Sequence, residues 1–167
     1  MKAQEANDLM TRMQLARSPH VTENLFTKLI IIIPGTPIPK QSVRMGRHGA
    51  FQPTELVYAK KKIKSDIQVQ LPKGFLPWEG PVQINRICFV YEYLKGHSKK
   101  EKEQYNTTGK VLYKVSRPDF DNLCKLPLDC MTDIIYKDDS QICYLGRMEK
   151  YFGVEAFTLI ELEKMEL

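Results

Sequence analysis

The sequence has little of what soft-metal binding, disulfide linkage or membrane insertion require. Its 167 residues include only four cysteines and three histidines, and no two cysteines have the Cys-x-x-Cys spacing of a zinc site. The longest aliphatic run is five residues, Leu29 to Ile33, far short of the roughly 20 that cross a bilayer. The sequence therefore argues against a zinc site and predicts neither disulfides nor a membrane span.

The N-terminal region has no apolar stretch typical of a signal peptide, so we expect a cytoplasmic protein. Residues 1–24 have only a weak helical pattern, which ends at Ser18-Pro19. We predict that this segment is a helical or disordered extension outside the core. Residues 25–167 have the length of one domain, large enough to bury its own core.

The hydrophobic patterning predicts an α+β fold, with a small mixed β-sheet and two main helices packed on one side of it. Apolar residues on both faces of Phe26–Ile33 are typical of a central strand. Periods of three and four residues predict the helices, and β-branched and aromatic runs predict the remaining strands. We predict helices over Thr54–Leu71 and Asp119–Asp133, a strand over Val82–Tyr93, and a hairpin of Gln141–Tyr151 and Val154–Glu163 that turns at Phe152-Gly153.

Positive charge is concentrated in three segments of a chain whose net charge is +5. Lys40, Arg44 and Arg47 fall in a loop that follows the proline-rich stretch 34–39. Four lysines between Lys60 and Lys64 occupy the polar side of the first predicted helix, and the polar stretch Lys95–Lys114 is expected to be a mobile loop. Each segment is typical of a solvated surface and could also contact phosphate groups.

The stretch Arg117-Pro118-Asp119-Phe120-Asp121-Asn122-Leu123-Cys124-Lys125 is the chemically richest part of the chain. Pro118 favours extended backbone in the residues before it. If Asp119 to Asp121 is also extended, both carboxylates point the same way and Phe120 points into the core. Asp121 would then begin a helix, where capping is the purely structural alternative to a catalytic role.

Lys125 follows Asp121 by four residues, and Asp129 follows Lys125 by four. On a helix these three side chains share a face, which places the lysine beside Asp121. Pro127 interrupts such a helix unless it lies in the first turn. The helix therefore either begins near Leu123 or kinks at Pro127.

A second acidic motif, Lys137-Asp138-Asp139-Ser140-Gln141, opens the next predicted strand. Carboxylates crowded beside Asp119 and Asp121 repel one another unless a cation lies between them. Oxygen ligands without histidine or cysteine suit Mg²⁺, for which Mn²⁺ is expected to substitute. Such an ion would activate water at a phosphodiester, and Lys125 would offset the charge of the transition state.

These two motifs and the stretch Pro34-Gly35-Thr36-Pro37-Ile38-Pro39-Lys40 resemble those of the RusA family of Holliday junction resolvases, over about Leu29 to Glu163. The resemblance implies a RusA-like fold, a homodimer, and symmetric cutting of four-way DNA junctions in recombination and repair. It also implies a bacterial or phage-encoded protein. Asp139 is favoured over Asp138, although an offset of one residue would reverse that choice. The resemblance implies metal-binding carboxylates at Asp119, Asp121 and Asp139, an essential Lys125, and DNA contacts by Arg117 and Asn122.

Two other functions compete with this interpretation. The chain could be a branched-DNA nuclease of looser specificity, acting on flaps or forks. It could also be a non-catalytic basic DNA-binding protein whose carboxylates only cap and turn the backbone. In every case the basic residues Lys40, Arg44 and Arg47 are expected to contact the phosphate backbone of DNA, which positions DNA without reading its sequence.

Overall fold

The protein is described by a computed structural model. Of residues 44–46 and 49–51 only the backbone is described, and the predicted N-terminal extension and Arg47 lie outside the described residues. The structure describes residues 26–40, 44–46, 49–51, 53–100, 102–103 and 111–166.

The described residues contain the strands β1 (Lys28–Pro34), β2 (Arg44–Gly46), β3 (Gly49–Phe51), β4 (Val82–Glu92), β5 (Leu112–Tyr113), β6 (Ile142–Gly153) and β7 (Phe157–Lys164). Five of them form one mixed sheet in the order β1–β7–β4–β6–β5. Strands β4 and β6 run parallel, and the other neighbouring pairs of this sheet run antiparallel. A separate two-stranded ribbon joins β2 to β3.

Two helices, α1 (Thr54–Gln68) and α2 (Phe120–Met131), pack with one face of this sheet around the main core. Helix α1 buries Leu56, Ile63 and Ile67, which recur at the spacing of one helical face. The predicted α+β fold with a mixed sheet and two main helices is confirmed. The core joins these helices to Ile31, Ile84, Phe89, Ile160 and Leu162 of the sheet.

Helix α2 begins at Phe120 and continues through Pro127, so the predicted alternative of a start near Leu123 is wrong. A proline inside a helix removes one backbone hydrogen bond and costs about 3 kcal/mol. Pro127 is buried in the core-facing side of α2. Burial of its ring and of the neighbouring apolar side chains offsets part of that cost.

The predicted hairpin of the last two strands is wrong. Strand β4 lies between β6 and β7 and pairs with both, and the chain passes the end of β4 through residues 154–156. Sequence adjacency favours a hairpin, but β4 is apolar on both faces and buries most of its residues. A strand with that pattern is best placed between two partners.

The strand predicted as central, β1, lies at the edge of the sheet, and within the described residues β7 is its only partner strand. The side-chain amide of Gln70 covers its outer edge at Ile32. Gln70 Nε2 donates to the carbonyl oxygen of Ile32 at 2.7 Å, and its Oε1 accepts from the Ile32 N–H at 2.9 Å. The second face of the strand is apolar because Ile30 and Ile32 pack with Cys88, Val90 and Leu159 on the opposite side of the sheet.

Both segments predicted as cationic loops contain regular structure. The first contains β2 and β3, and the second includes helical residues at 99–100 and 102–103 before it ends in β5. Strand β5 is only two residues long and pairs with β6 at Tyr151 and Phe152. A two-residue strand has no periodicity that sequence analysis can detect.

Candidate active site

The first acidic motif lies where the chain leaves β5 and enters α2. Asp119 occupies the N-cap position with extended backbone, φ −79° and ψ 155°, and its side chain makes no capping hydrogen bond. The carboxylate is exposed and has no hydrogen bond or ion pair within the described residues. The predicted cap position is therefore wrong by two residues, because Asp119 occupies the N-cap and Asp121 lies inside the helix. The Asp119 carboxylate is not used to cap the helix and can bind a ligand.

Asp121 and Lys125 form an ion pair on the exposed side of α2. The Lys125 Nζ lies 3.0 Å from Asp121 Oδ2, and the side chains are 53% and 64% exposed. Hydrogen bonds from Lys125 and from the backbone N–H of Asn122 hold the pKa of Asp121 below its ordinary value. The predicted proximity of these two residues is confirmed.

Phe120 does not point into the core as expected from an extended Asp119–Asp121. Its side chain is 36% exposed, and its ring centroid lies 6.4 Å from that of buried Phe89. The helix begins at Phe120, so successive residues turn by about 100° instead of alternating between two sides. Phe120 consequently packs at the margin of the core.

Asp129 does not join the Asp121–Lys125 pair. Its Oδ2 accepts a hydrogen bond from Lys40 Nζ at 2.5 Å and lies 4.0 Å from Lys60 Nζ. The prediction that Asp121, Lys125 and Asp129 share one face of the helix is therefore wrong for Asp129. Asp129 instead binds lysines from the proline-rich loop and from α1.

The two neighbouring aspartates of the second motif have different surroundings. Asp138 caps a short 3₁₀ helix, Asp139–Gln141, and its Oδ1 accepts from the N–H of Ser140 at 2.9 Å. Hydrogen bonds from the Ser140 side chain and from the Ser140 N–H lower the pKa of Asp138. Asp139 is exposed, and within the part of the chain that the structure describes its carboxylate has no such partner. Asp139 is thus the more available ligand of the two.

Gln141 anchors the second motif to the rest of the fold. Its Nε2 donates to the carbonyl oxygens of Trp78 and Gly80 at 3.1 and 2.7 Å. Its Oε1 accepts from the backbone N–H of Asp138 at 3.0 Å, which completes a capping box. Sequence analysis assigned no role to Gln141, although an acidic residue followed three positions later by glutamine is the signature of this cap.

Tyr136 connects the second motif to α2. Its side chain is fully buried, and its hydroxyl donates to the carbonyl oxygen of Leu128 at 2.8 Å. Burial raises the pKa of Tyr136, and the nearby carboxylates of Asp139 and Asp129 raise it further. Sequence analysis assigned Tyr136 no role, because nothing in its local pattern separates it from an ordinary core tyrosine.

The carboxylates have the donor chemistry of a site for a hard divalent ion but are not gathered into a closed cluster. Among the described residues, no group of three or more His, Cys, Asp or Glu side chains is close enough to hold a metal ion. Asp119 and Asp139 nevertheless have exposed carboxylates without partners among the residues that the structure describes, and Asp121 stands beside a lysine. Oxygen ligands of this kind suit Mg²⁺ and Mn²⁺.

The predicted DNA-contacting residues are only partly brought together. The Lys40 N–H donates to the carbonyl oxygen of half-buried Asn122 at 2.8 Å, which places the proline-rich loop against the start of α2. Arg117 is exposed in the loop before Asp119. Arg44 begins β2, but its side chain is not described, and Arg47 lies outside the described residues.

Comparison with known proteins identifies the family. The model of the endodeoxyribonuclease RusA family matches residues 34–163, which include both acidic motifs and most of the chain. The chain belongs to the RusA family. It is also similar to an uncharacterized protein of Bacillus subtilis (strain 168), YqaN, with 29% identity over 120 residues, which cover 70% of this chain and 80% of that protein.

Membership in the RusA family confirms the prediction of an endodeoxyribonuclease, an enzyme that hydrolyses phosphodiester bonds in DNA. It implies Holliday junction resolvase activity and hence branched DNA as the substrate. No helix within the described ranges is long and apolar enough to cross a membrane. The RusA match contains every residue that was predicted to bind metal or to contact DNA.

Proposed function

We propose that this RusA-family protein is a homodimeric, Mg²⁺-dependent Holliday junction resolvase that makes paired symmetric cuts in recombination and repair. Its site of action in this proposal is the cytoplasm of a bacterium or of a phage-infected cell. Residues 25–167 form the endonuclease domain, and residues 1–24 form an extension outside it. The observation that carries the proposal is that the carboxylates of Asp119 and Asp139 have no partner in the described ranges while Asp138, which neighbours Asp139, caps the backbone.

Asp119, Asp121 and Asp139 would hold the divalent ion. When bound, the ion supplies a Lewis acid for the phosphodiester and lowers the pKa of an attacking water. The free carboxylates of Asp119 and Asp139 need no rearrangement of internal hydrogen bonds to accept a ligand. Lys125 and the Asn122 N–H lower the pKa of Asp121, which favours the charged carboxylate that a cation needs.

Lys125 would stabilise the negative charge that develops on the phosphate. Its side chain is 53% exposed, so the ammonium can reach a phosphate of bound DNA while it stays beside Asp121. Arg117 and Asn122 border the same motif and would position the DNA backbone. Contacts of this kind recognise the shape of a junction and not its sequence. The basic residues Lys40, Arg44 and Arg47 would extend this surface.

Two symmetric cuts require two active sites, and one chain provides a single Asp119–Asp121–Asp139 set. A two-fold dimer supplies both sites in the orientation that a four-way junction presents. The homodimer is therefore part of the proposal.

A cleavage assay with a panel of DNA substrates tests this function. A four-way junction should be cut with Mg²⁺ or Mn²⁺, whereas linear duplex of equal length should be cut much more slowly. EDTA should stop cutting while junction binding remains measurable, because Lys and Arg contacts do not depend on the ion. Equal cutting of flaps, forks and junctions would favour the branched-DNA nuclease. Binding without cutting in any metal would favour a non-catalytic DNA-binding protein.

A further inference from the structure

Lys150 of β6 binds the loop that leads into the first acidic motif. Its Nζ donates to the carbonyl oxygen of Ser116 at 2.8 Å and to that of Pro118 at 2.7 Å. Pro118 immediately precedes Asp119, so the second contact acts on the peptide bond that joins Pro118 to Asp119. A lysine from the sheet thereby binds two backbone carbonyl groups of this loop.

The Lys150 ammonium is also in contact with the first residue of α2. It lies 5.5 Å from the centroid of the Phe120 ring, within the range of a cation–π interaction. The same ring packs beside buried Phe89. Lys150 therefore touches the residues on both sides of Asp119, and the aromatic contact continues into the core.

The geometry of Lys150 differs from that of a lysine that is available to bind DNA. An ammonium has three N–H donors, and two of them are used by backbone carbonyl oxygens. The side chain is half-buried, and the Phe120 ring covers another side of the ammonium. A phosphate contact would require at least one of these interactions to break.

Lys114 supports the same loop from the neighbouring strand end. Its Nζ donates to the Ser116 Oγ at 2.5 Å, and its backbone N–H donates to the carbonyl oxygen of Lys150 at 2.9 Å. Its ammonium lies 5.0 Å from the centroid of the Tyr91 ring. Within the described part of this loop, the Lys114 ammonium binds the side chain of Ser116, whereas Lys150 binds the backbone directly before Asp119.

We infer that Lys150 is a positioning residue that fixes the backbone around Asp119 and so sets the orientation of its carboxylate toward a divalent ion. This inference rests on the proposed metal role of Asp119. A residue that fixes the backbone of a metal ligand reduces the number of orientations that the ligand samples before the ion binds. The ion then binds more tightly, because less conformational freedom is lost on binding. Lys150 does not touch the reacting atoms, and its effect passes through Pro118 and Phe120.

The test compares Lys150→Met, which keeps an unbranched apolar stem but loses the ammonium, with Lys150→Arg, which keeps charge and donors. Lys73→Met is the matched control for the loss of one positive charge. Lys73 is exposed in the turn after α1, and its ammonium makes no contact within the described residues. Mn²⁺ binding without DNA is followed by electron paramagnetic resonance of the free ion, and backbone order is followed by hydrogen–deuterium exchange.

Lys150→Met should bind Mn²⁺ about 10–100-fold more weakly than Lys73→Met, the range observed when partners of metal ligands are removed. Amides between Ser116 and Leu123 should exchange faster in the metal-free Lys150→Met protein, while those of α1 should be unchanged. Lys150→Arg should recover most of the affinity. Equal Mn²⁺ affinity of Lys150→Met and the control would overturn the positioning role, as would faster exchange spread evenly over the chain.

These measurements separate the positioning role from the proposed function. If the wild-type protein binds Mn²⁺ but cuts no four-way junction, the resolvase proposal fails while the role of Lys150 is still decided by the titration. If it cuts junctions but Lys150→Met retains full Mn²⁺ affinity, only the positioning role fails. A wild-type protein that binds no Mn²⁺ overturns both the metal role of Asp119 and the role of Lys150.

Discussion

The Lys40 ammonium donates a hydrogen bond to Asp129 Oδ2 at 2.5 Å across 89 positions of sequence. The backbone N–H of Lys40 also donates to the carbonyl oxygen of Asn122, near the other end of α2. Together the two contacts attach the proline-rich loop to the helix that carries Asp121 and Lys125. A basic residue that sequence analysis assigned to DNA thus has a partner within the fold.

Asp129→Asn should preserve cleavage, because Asp129 binds Lys40 and Lys60 and not the Asp121–Lys125 pair. Loss of this partly exposed ion pair should lower the free energy of unfolding by about 1 kcal/mol in urea denaturation. Junction affinity should be equal or higher at low salt, since one acidic group near two lysines is removed. Asp133→Asn is the control, because Asp133 is exposed at φ 64°, a conformation that asparagine also tolerates. Cleavage as weak as that of Asp121→Asn would place Asp129 in the metal site.

Asp139→Asn and Asp138→Asn should have different effects on cleavage. Asp139→Asn removes a free carboxylate and should abolish cutting without a change in melting temperature. Asp138→Asn should keep most of the activity and stability, because asparagine caps a helix about as well as aspartate. Cleavage rates and thermal melting of the two variants side by side check this. The opposite order of activities would assign the metal ligand to Asp138.

Lys125→Ala should lose cleavage with little loss of stability. An exposed ion pair four residues apart on a helix contributes only about 0.3–0.5 kcal/mol, so thermal melting should barely change. Lys62→Ala is the matched control, because Lys62 forms an ion pair of the same spacing with Asp66 on α1. A fall in stability much larger than that of Lys62→Ala would make Lys125 a structural residue.

Tyr136→Phe should reveal the raised pKa of Tyr136 as a dependence of stability on pH. The folded protein keeps the phenol neutral, whereas the unfolded chain ionises near the ordinary value of 10.0. The stability that this difference provides is present below pH about 10 and is lost as the pH rises further. The advantage of wild type over Tyr136→Phe in urea denaturation should therefore be constant from neutral pH to about pH 9 and shrink above it. A stability difference between wild type and Tyr136→Phe that stays constant at all pH values would mean that Tyr136 has the same pKa in the folded and unfolded states.

Asp121→Asn should fold, bind junctions at least as well as wild type, and barely cut them. Mixed with wild-type chains, it should form heterodimers that cut one strand of a supercoiled plasmid carrying an extruded cruciform. Relaxed circles should accumulate in place of linear product, because each dimer then contains a single intact site. Cutting by Asp121→Asn at the wild-type rate would reduce Asp121 to a helix-stabilising residue. A wild-type protein that is monomeric in solution would contradict the proposed paired cuts by a dimer.

Sequence alone was sufficient for the elements with a strong local period. Helix α1, strand β4 and the region of α2 were predicted close to their observed bounds, since an apolar face repeats in each of them. The Asp121–Lys125 pair was also predicted correctly, because a spacing of four residues places both side chains on one helix surface whatever surrounds the helix. The family resemblance was carried by the proline-rich stretch 34–40 and by two short acidic motifs, and the RusA match confirms it.

The tertiary structure decided which strands are neighbours. Strand β1 is apolar on both sides yet lies at an edge, and β6 and β7 follow each other in sequence yet are separated by β4. Strand pairing depends on burial summed over the whole sheet, and the period of a single strand does not contain that information.

The tertiary structure also decided which charged groups are free. Asp138 and Asp139 are adjacent and chemically identical in sequence, and only the fold shows that one caps a 3₁₀ helix while the other has no such contact. Lys40 and Lys150 are ordinary surface lysines by composition, but contacts with Asp129 and with the carbonyl oxygens of Ser116 and Pro118 give them defined places. The sequence determined which chemical groups this enzyme possesses. Which of these groups can bind a ligand depended on long-range packing, because the local sequence pattern does not show contacts with residues that are distant in sequence.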